Sequence, residues 1–532
     1  MILGQLRTPD LVVLIVYFLL LIGAGFYFRK RSLTVEGFTV ANRSLPGWVC
    51  GLSIFGTYLS SNTFIGVPGK AYGTNWNSFV FTLSIPIAAL VAVKWFVPFY
   101  RKNTGLSAYE HLEKRFGPWA RIYAVICYLL TQISRVGTIM FGVAIGLSAL
   151  TGWKLETIII VSGFAVTLYT LLGGIEAVIW TDAIQSVILT IGAIIVVGLI
   201  LTDMPGGAEN ALSIAWEAGK FNLGEFNSLS LSESTIWVVL MYGIFINLTN
   251  FGIDQNFVQR YHAANSERAA GRSVWMGALL YMPVALMFFF IGSILFSYYQ
   301  ANPDLLEEVK ITKATELIAE QSTGFAKGSD EEIAKIKLIA KELEPDKYGD
   351  KILPHFIANR MPAGLAGMLI AALFAAAMSS IDTSLNSSST IALQDFYRRW
   401  SNPNASEAQS IKFLRAMTVL FGIIGTSVAL AMMGVKSILD AWWKISGVFA
   451  GGMLGLFLLG FISRRANNAG AAIGATIGVL VIIWMTFSPD LKEELGWMSS
   501  PFHANMITVI GTLSIFLLGL SLIHISEPTR PY

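Results

Sequence analysis

The chain has 532 residues, 54% of them hydrophobic and only 13% charged, with a mean hydropathy of +0.61 and a net charge of +3. Soluble domains carry about 25% charged residues, so these totals exclude an ordinary soluble protein, and the near-neutral balance gives a nucleic-acid partner no footing. The two cysteines, Cys50 and Cys127, sit in apolar segments and form neither a disulfide framework nor a metal pattern.

The first apolar run, LVVLIVYFLLLIGAGFYF, is followed by RKRS. Its core is too long for a signal peptide and no small-residue cleavage site follows, so it reads as a retained span. A helix needs about 20 apolar residues to cross a bilayer. By that measure the chain holds about thirteen spans, at 10–28, 47–67, 78–99, 119–149, 155–173, 181–202, 235–257, 272–298, 360–390, 411–434, 437–462, 468–488 and 503–523. The loops at 28–32, 100–121, 259–272, 396–400 and 463–468 are basic, and those between them are neutral or acidic. The positive-inside rule makes the basic loops cytoplasmic, with the N-terminus outside and the C-terminus inside. Residues 299–356 form a long outer loop, whose stretch EEIAKIKLIAKELEPDK has helical spacing. It is expected to be a small amphipathic cap with a solvated face rather than a gating lid. Residues 520–532, LSLIHISEPTRPY, abandon span composition and are expected to be a non-native tail, leaving 1–519 as a single transmembrane domain.

Polar groups in lipid need internal partners, so spans with polar centres face protein or a water-filled cavity. The second span carries FGTYLSSNTFIG (55–66), with Thr57, Tyr58, Ser60, Ser61, Asn62 and Thr63 between Gly56 and Gly66. The seventh carries NLTNFGIDQN, with Asn247, Thr249, Asn250, Gly252, Asp254 and Gln255. Paired interrupted segments in corresponding positions of two repeats point to a transporter's binding site. The repeats are then expected at about 47–202 and 235–434. A third polar span, 360–390, contains SSIDTSLNSSS, where Ser379, Asp382 and Thr383 share one helix face. Hydroxyl and carboxylate oxygens suit a hard cation. Serines in spans often just bond back to the helix, which accounts for Ser387–Ser389 but not for a carboxylate at Asp382.

Isolated intramembrane charges complete the list: Asp182 at the start of 181–202, Arg135 in the middle of 119–149, and Asp440 with Lys444 one turn apart. A structural salt bridge competes for the last pair. No acidic residue is near Arg135 in sequence. All five histidines lie in loops or at span ends, and no HExxH, GxSxG elbow or Walker motif is present. The expectation is a transporter, neither an enzyme nor an ATP-driven pump, and no organic cofactor.

Together, AYEHLEKRFG, GGIEAVIWTDAIQ, VQRY and FAAAMSSIDTSLNS make the chain resemble the sodium/solute symporter family over about 10–519. Within it, LSSNTF (59–64) and Arg135 are similar to the bacterial sialic acid sodium symporters. The resemblance implies an all-α polytopic fold with inverted five-helix repeats of the leucine-transporter type. It implies a monomer in the bacterial inner membrane that imports a small polar solute, an acidic sugar such as sialic acid, by alternating access. One or two Na+ ions would drive it. A neutral sugar, or proton coupling through Asp382, are the alternatives. One sodium site is implied at Gly56, Leu59, Ala376, Ser379 and Ser380, and a second at Asp182, Ser379, Asp382 and Thr383. The implied substrate site comprises Tyr58, Ser60, Ser61, Thr63, Ser78, Thr82, Arg135 and Asn247, with Lys444 an additional cation. The departures are Tyr58 in place of a small hydroxyl residue, Thr82 in place of glutamine, Ser78 in place of an aromatic, and Asp382 with Thr383 in a serine-only pattern.

Overall fold

The structure, a computed structural model, describes residues 7–102, 105–320, 329–433 and 438–522; the side chains of 61–62, 149–150, 319–320, 438–448 and 450 lie outside that description. The expected tail at 520–532 therefore falls almost entirely outside the described residues, as do the side chains of Ser61, Asp440 and Lys444. Apart from an isolated bridge between Leu45 and Ala264, the regular elements among the described residues are all helical.

We number the spanning elements α1 (Thr8–Phe28), α2 (Gly47–Tyr58), α3 (Ser61–Gly73), α4 (Asn77–Lys102), α5 (Pro118–Thr151), α6 (Leu155–Asp203), α7 (Ile236–Ile253), α8 (Gln255–Ala263), α9 (Glu267–Ala301), α10 (Leu365–Ile391), α11 (Glu407–Ala431), α12 (Ile438–Ile462), α13 (Asn468–Phe487) and α14 (Met506–Ser521). α1 shows how composition becomes architecture. Its face Leu14, Tyr17, Leu21, Gly25, Phe28 recurs every three or four residues and is buried, while Leu19 and Leu20 on the other side stay 63% and 69% exposed. That is a helix with protein on one face and lipid on the other.

Nine helices among the described residues are long and apolar enough to span a membrane by themselves. The expected thirteen exceed this by four: the second span is broken into halves, α6 covers two spans at once, α14 has only 16 residues, and most of the first half of α12 lies outside the described side chains. The loop expected at 174–180 does not exist. The chain turns within α6 at Gly174, with φ +58° and ψ −159°, a conformation that essentially only glycine adopts. A Cβ there would lie 3.0 Å from the Phe38 main chain.

The second and seventh spans are both broken. α2 ends at Leu59, whose φ −86° and ψ 86° leave the helical region, and α3 starts after Ser60. α7 ends at Asp254, whose carboxylate accepts from Asn256 N at 2.8 Å and caps α8. The outer loop is more than a solvated cap. It forms three helices, Pro303–Glu320, Asp330–Glu342 and Pro345–Arg360. The charged Asp330–Glu342 buries only Ala340, as expected. Pro345–Arg360 instead buries Tyr348, Gly349, Ile352, Leu353 and Phe356. It packs on α3 so closely that a Cβ on Gly349 would lie 2.3 Å from Gly69 O, and one on Gly73 would lie 2.8 Å from Asp346 Cα. Small residues permit that approach.

Candidate functional site

Breaking a helix frees carbonyls that would otherwise accept from four residues on. At the first break main-chain and side-chain donors share the carbonyls. Gly56 O accepts from Leu59 N at 3.0 Å and from Ser379 Oγ at 3.4 Å, Thr57 O from Arg135 Nη2 at 3.4 Å, and Tyr58 O from Ser60 N and Thr63 Oγ1, each at 3.2 Å. At the second break three tyrosine hydroxyls close in: Tyr261 to Phe251 O at 2.8 Å, Tyr100 to Gly252 O at 2.7 Å, and Tyr109 to Ile253 O at 3.0 Å. Neutral hydrogen bonds are best near 2.7–3.0 Å. The three carbonyls of the second break are thus held at 2.7–3.0 Å, and those of the first at 3.0–3.4 Å.

One of those first-break oxygens, Gly56 O, faces α10. Ser379 Oγ lies between Gly56 O and Ala376 O, 3.4 and 3.2 Å away. Ser380 Oγ is buried without a partner. A Cβ on Gly56 would fall 2.4 Å from Ser186 Oγ on α6, so α2 and α6 touch where α2 ends. Gly56 O, Ala376 O, Ser379 Oγ and the orphan Ser380 hydroxyl bring together the donor chemistry of a hard cation.

Below it lies a second polar cluster, and its centre is a residue that sequence reasoning placed in a cytoplasmic loop. Arg260 on α8 is fully buried. Its Nη2 meets Asp182 Oδ2 at 2.7 Å and Thr383 Oγ1 at 2.8 Å; its Nε donates to Ser53 Oγ at 2.7 Å, and its Nη1 to Asn256 O at 2.6 Å. Ser53 Oγ also donates to Asp182 Oδ2 at 2.6 Å, while Asp182 Oδ1 has no partner. Asp382 accepts from Tyr169 OH and, at 2.5 Å, from Thr383 N. Asp182, Asp382 and Thr383 are therefore gathered, with Arg260 among them, while Ser379 turns toward Gly56. Of the two buried carboxylates, Asp182 pairs with the guanidinium and Asp382 with Tyr169 and Thr383.

The residues expected around the substrate divide. Tyr58 OH donates to Asn247 Oδ1 at 3.0 Å, linking the two broken spans directly, and Asn247 Nδ2 donates to Ser84 Oγ on α4 at 3.0 Å. The Tyr58 ring packs against Phe251, Phe257 and Tyr281. Arg135 reaches Thr57 O at the first break and Asp254 Oδ2 at the second, 3.7 Å away. Its acidic partner, remote in sequence, is brought to it by the fold. Both side chains keep some exposure, 18% and 11%. Ser60 is half-buried at the start of α3, Ser78 is half-buried, and Thr82 is buried one turn later on α4. Besides Arg260, the sequence reading missed Asn256, which accepts from Ser387 Oγ at 2.5 Å and donates to Gln132 Oε1 at 3.2 Å. The signal for both was available: Asn256 closes the polar run NLTNFGIDQN itself, and VQRY follows one residue later.

Comparison with known proteins agrees with this arrangement. The family model described as "Sodium:solute symporter family" matches residues 38–320 and 334–478. The chain is 33% identical to the sodium/sialic acid symporter NanT of Aliivibrio fischeri over 96% of this chain and 92% of that protein. It is likewise 33% identical to the sodium/sialic acid symporter SiaT of Proteus mirabilis, over 97% and 95%. Among solved structures, a Na+-coupled sialic acid symporter in a substrate-bound outward-open state superposes with a TM-score of 0.83 at 30% identity, covering 98% of this chain and 99% of that one. MhsT in complex with L-phenylalanine shares the fold alone, with a TM-score of 0.51 at 15% identity over 91% and 98%.

Proposed function

We propose that this chain, which belongs to the sodium:solute symporter family, imports an acidic sugar of the sialic acid type together with sodium. The carrying observation is Arg135, held between the two breaks by Thr57 O and Asp254 and still partly accessible. A guanidinium binds a carboxylate through a two-pronged fork. Relatives named as sodium/sialic acid symporters along nearly the whole chain support the same substrate.

In this reading sodium binds at the oxygens of Gly56, Leu59, Ala376, Ser379 and Ser380. A second cation binds beside Asp182, Asp382 and Thr383. The substrate docks among Tyr58, Ser60, Ser61, Thr63, Ser78, Thr82, Arg135 and Asn247, with Lys444 nearby. The repeats run over about 47–202 and 235–434, and they rock against each other to alternate access. The protein works as a monomer in a bacterial inner membrane, N-terminus outside. The basic segments support that orientation by meeting at one end of the bundle: Arg115 reaches Gly460 O and Ser463 O, Arg101 reaches Ala264 O, and Arg399 pairs with Glu113.

One observation favours a second reading. Asp254 offsets the charge of Arg135, which suits a neutral sugar. Thermal melting of the purified protein with sialic acids, uronates and neutral sugars, each in sodium and in potassium, separates the two. Stabilisation by an acidic sugar in sodium alone is expected. Stabilisation by neutral sugars in preference would replace this reading with the second.

A further inference from the structure

At the end of the bundle that carries the basic loops, α4 and α9 enclose a groove of about 490 Å³. Its walls are Val93 and Val97 on α4, and Gly271 and Trp275 on α9; its mouth carries Glu267, Arg268 and Arg272. α4 is π-helical over Ala92–Phe96, an irregularity frequent at functional positions. The helices approach closely, since a Cβ on Gly271 would lie 3.3 Å from Val93 Cγ1. The groove opens onto a surface with lipid-facing composition: Ile87, Leu90, Trp95 and Leu279 on the same two helices are 47% to 56% exposed.

Arg268 and Arg272 stand one helical turn apart and exposed, and neither has an ion-pair partner among the described residues. Glu267 offsets one of the two charges. The rim is thus net positive, the floor apolar, and the position interfacial, with Trp95 and Trp275 flanking it as tryptophans do at membrane interfaces. A free anion would use the rim and leave the floor empty. A diacyl lipid uses both, and basic pockets between spans on the cytoplasmic side bind anionic headgroups.

We propose that this groove is a binding site for an anionic phospholipid of the cytoplasmic leaflet. Arg268 and Arg272 take the headgroup phosphate, and an acyl chain lies along Val93, Val97 and Trp275. The site is independent of the transported solute. A bound lipid would brace the π-helical turn of α4 against α9, next to α8 and its buried Arg260.

The test uses the full-length protein in neutral detergent, with dioleoyl-phosphatidylglycerol, dioleoyl-phosphatidylcholine or inorganic phosphate added. Phosphatidylglycerol should raise the melting midpoint saturably and in a salt-sensitive way. R268Q/R272Q should weaken its apparent affinity about tenfold or more, from two lost charged contacts. R268K/R272K should retain most of it, and R464Q/R465Q, exposed at the same end, should retain all of it. An equal shift with phosphatidylcholine, a shift reproduced by inorganic phosphate, or undiminished affinity in R268Q/R272Q would overturn the proposal. If R268Q/R272Q does not fold, the wild type decides: phosphatidylglycerol affinity that ignores salt overturns it.

Discussion

Arg260 is a full charge with no exposure, and it persists because every prong of its guanidinium has an oxygen acceptor. Removing one partner of such a pair strands the other charge, at a cost of about 3–5 kcal/mol. R260Q should therefore lower the melting midpoint sharply, and adding D182N should restore much of the loss. The balanced double variant also tests the proposed second cation site. Its sodium dependence of uptake should flatten to a Hill coefficient of about one, the limit for a single coupling ion. A curve that stays steep places the second ion elsewhere. Arg135 calls for a different comparison. R135A should abolish uptake of an acidic sugar and spare a neutral one, measured side by side in proteoliposomes. Equal loss of both would make Arg135 a scaffold residue for Asp254.

Elements show where the chain announces its shape and where it does not. Gly174 turns α6 in a conformation closed to other residues, so G174A should cost about 1–3 kcal/mol and lower the melting midpoint without moving sodium affinity. The two broken spans were legible because both put polar residues and glycine where a plain span would be apolar. The turn at Gly174 was read as a loop, since one glycine inside a long helical run leaves no polar signature. Arg260 was misplaced for the opposite reason: a charge just beyond an apolar run looks like a flank, and only the break at Asp254 turns it inward. Pro345–Arg360 escaped notice because its short apolar face of Tyr348, Ile352, Leu353 and Phe356 is interleaved with Lys347, Asp350, Lys351 and His355 inside a long charged loop. At the end of α3 on which that helix packs, Lys220 Nζ donates to Tyr72 O at 2.6 Å and Thr74 O at 3.1 Å, and burial pulls its ammonium down to about 8. Below that pH both folded and unfolded chains hold the proton. Between about 8 and the ordinary 10.5 the unfolded chain alone holds it, so folding stability from this group rises with pH. K220M should erase that rise in a melting series across the window.

For the whole molecule, charge counting constrains the ion number. One sodium carried with a monoanion moves no net charge, and a tenfold gradient then supplies roughly 1.4 kcal/mol. Two sodium ions add one net charge, which crosses 100 mV for about 2.3 kcal/mol and brings the total to roughly 5 kcal/mol. The Arg260 cluster, with two buried carboxylates to one guanidinium, has the charge balance a second cation would complete. Uptake should therefore be electrogenic, carrying one positive charge per substrate in a current-and-flux measurement. Electroneutral uptake of an acidic sugar would fix the ratio at one.

The unequal satisfaction of the two breaks bears on slippage, the crossing of a carrier that has not collected its full load. The tyrosine-sealed break has its hydrogen bonds whether or not anything is bound, so it imposes no toll on an empty crossing. The carbonyls of Gly56, Thr57 and Tyr58, held at 3.0–3.4 Å, are the ones an ion can reinforce. On the proposed reading, sodium beside them supplies what those longer bonds lack as the bundle closes and water leaves. Coupling would then lean on main-chain oxygens that side-chain mutagenesis leaves in place.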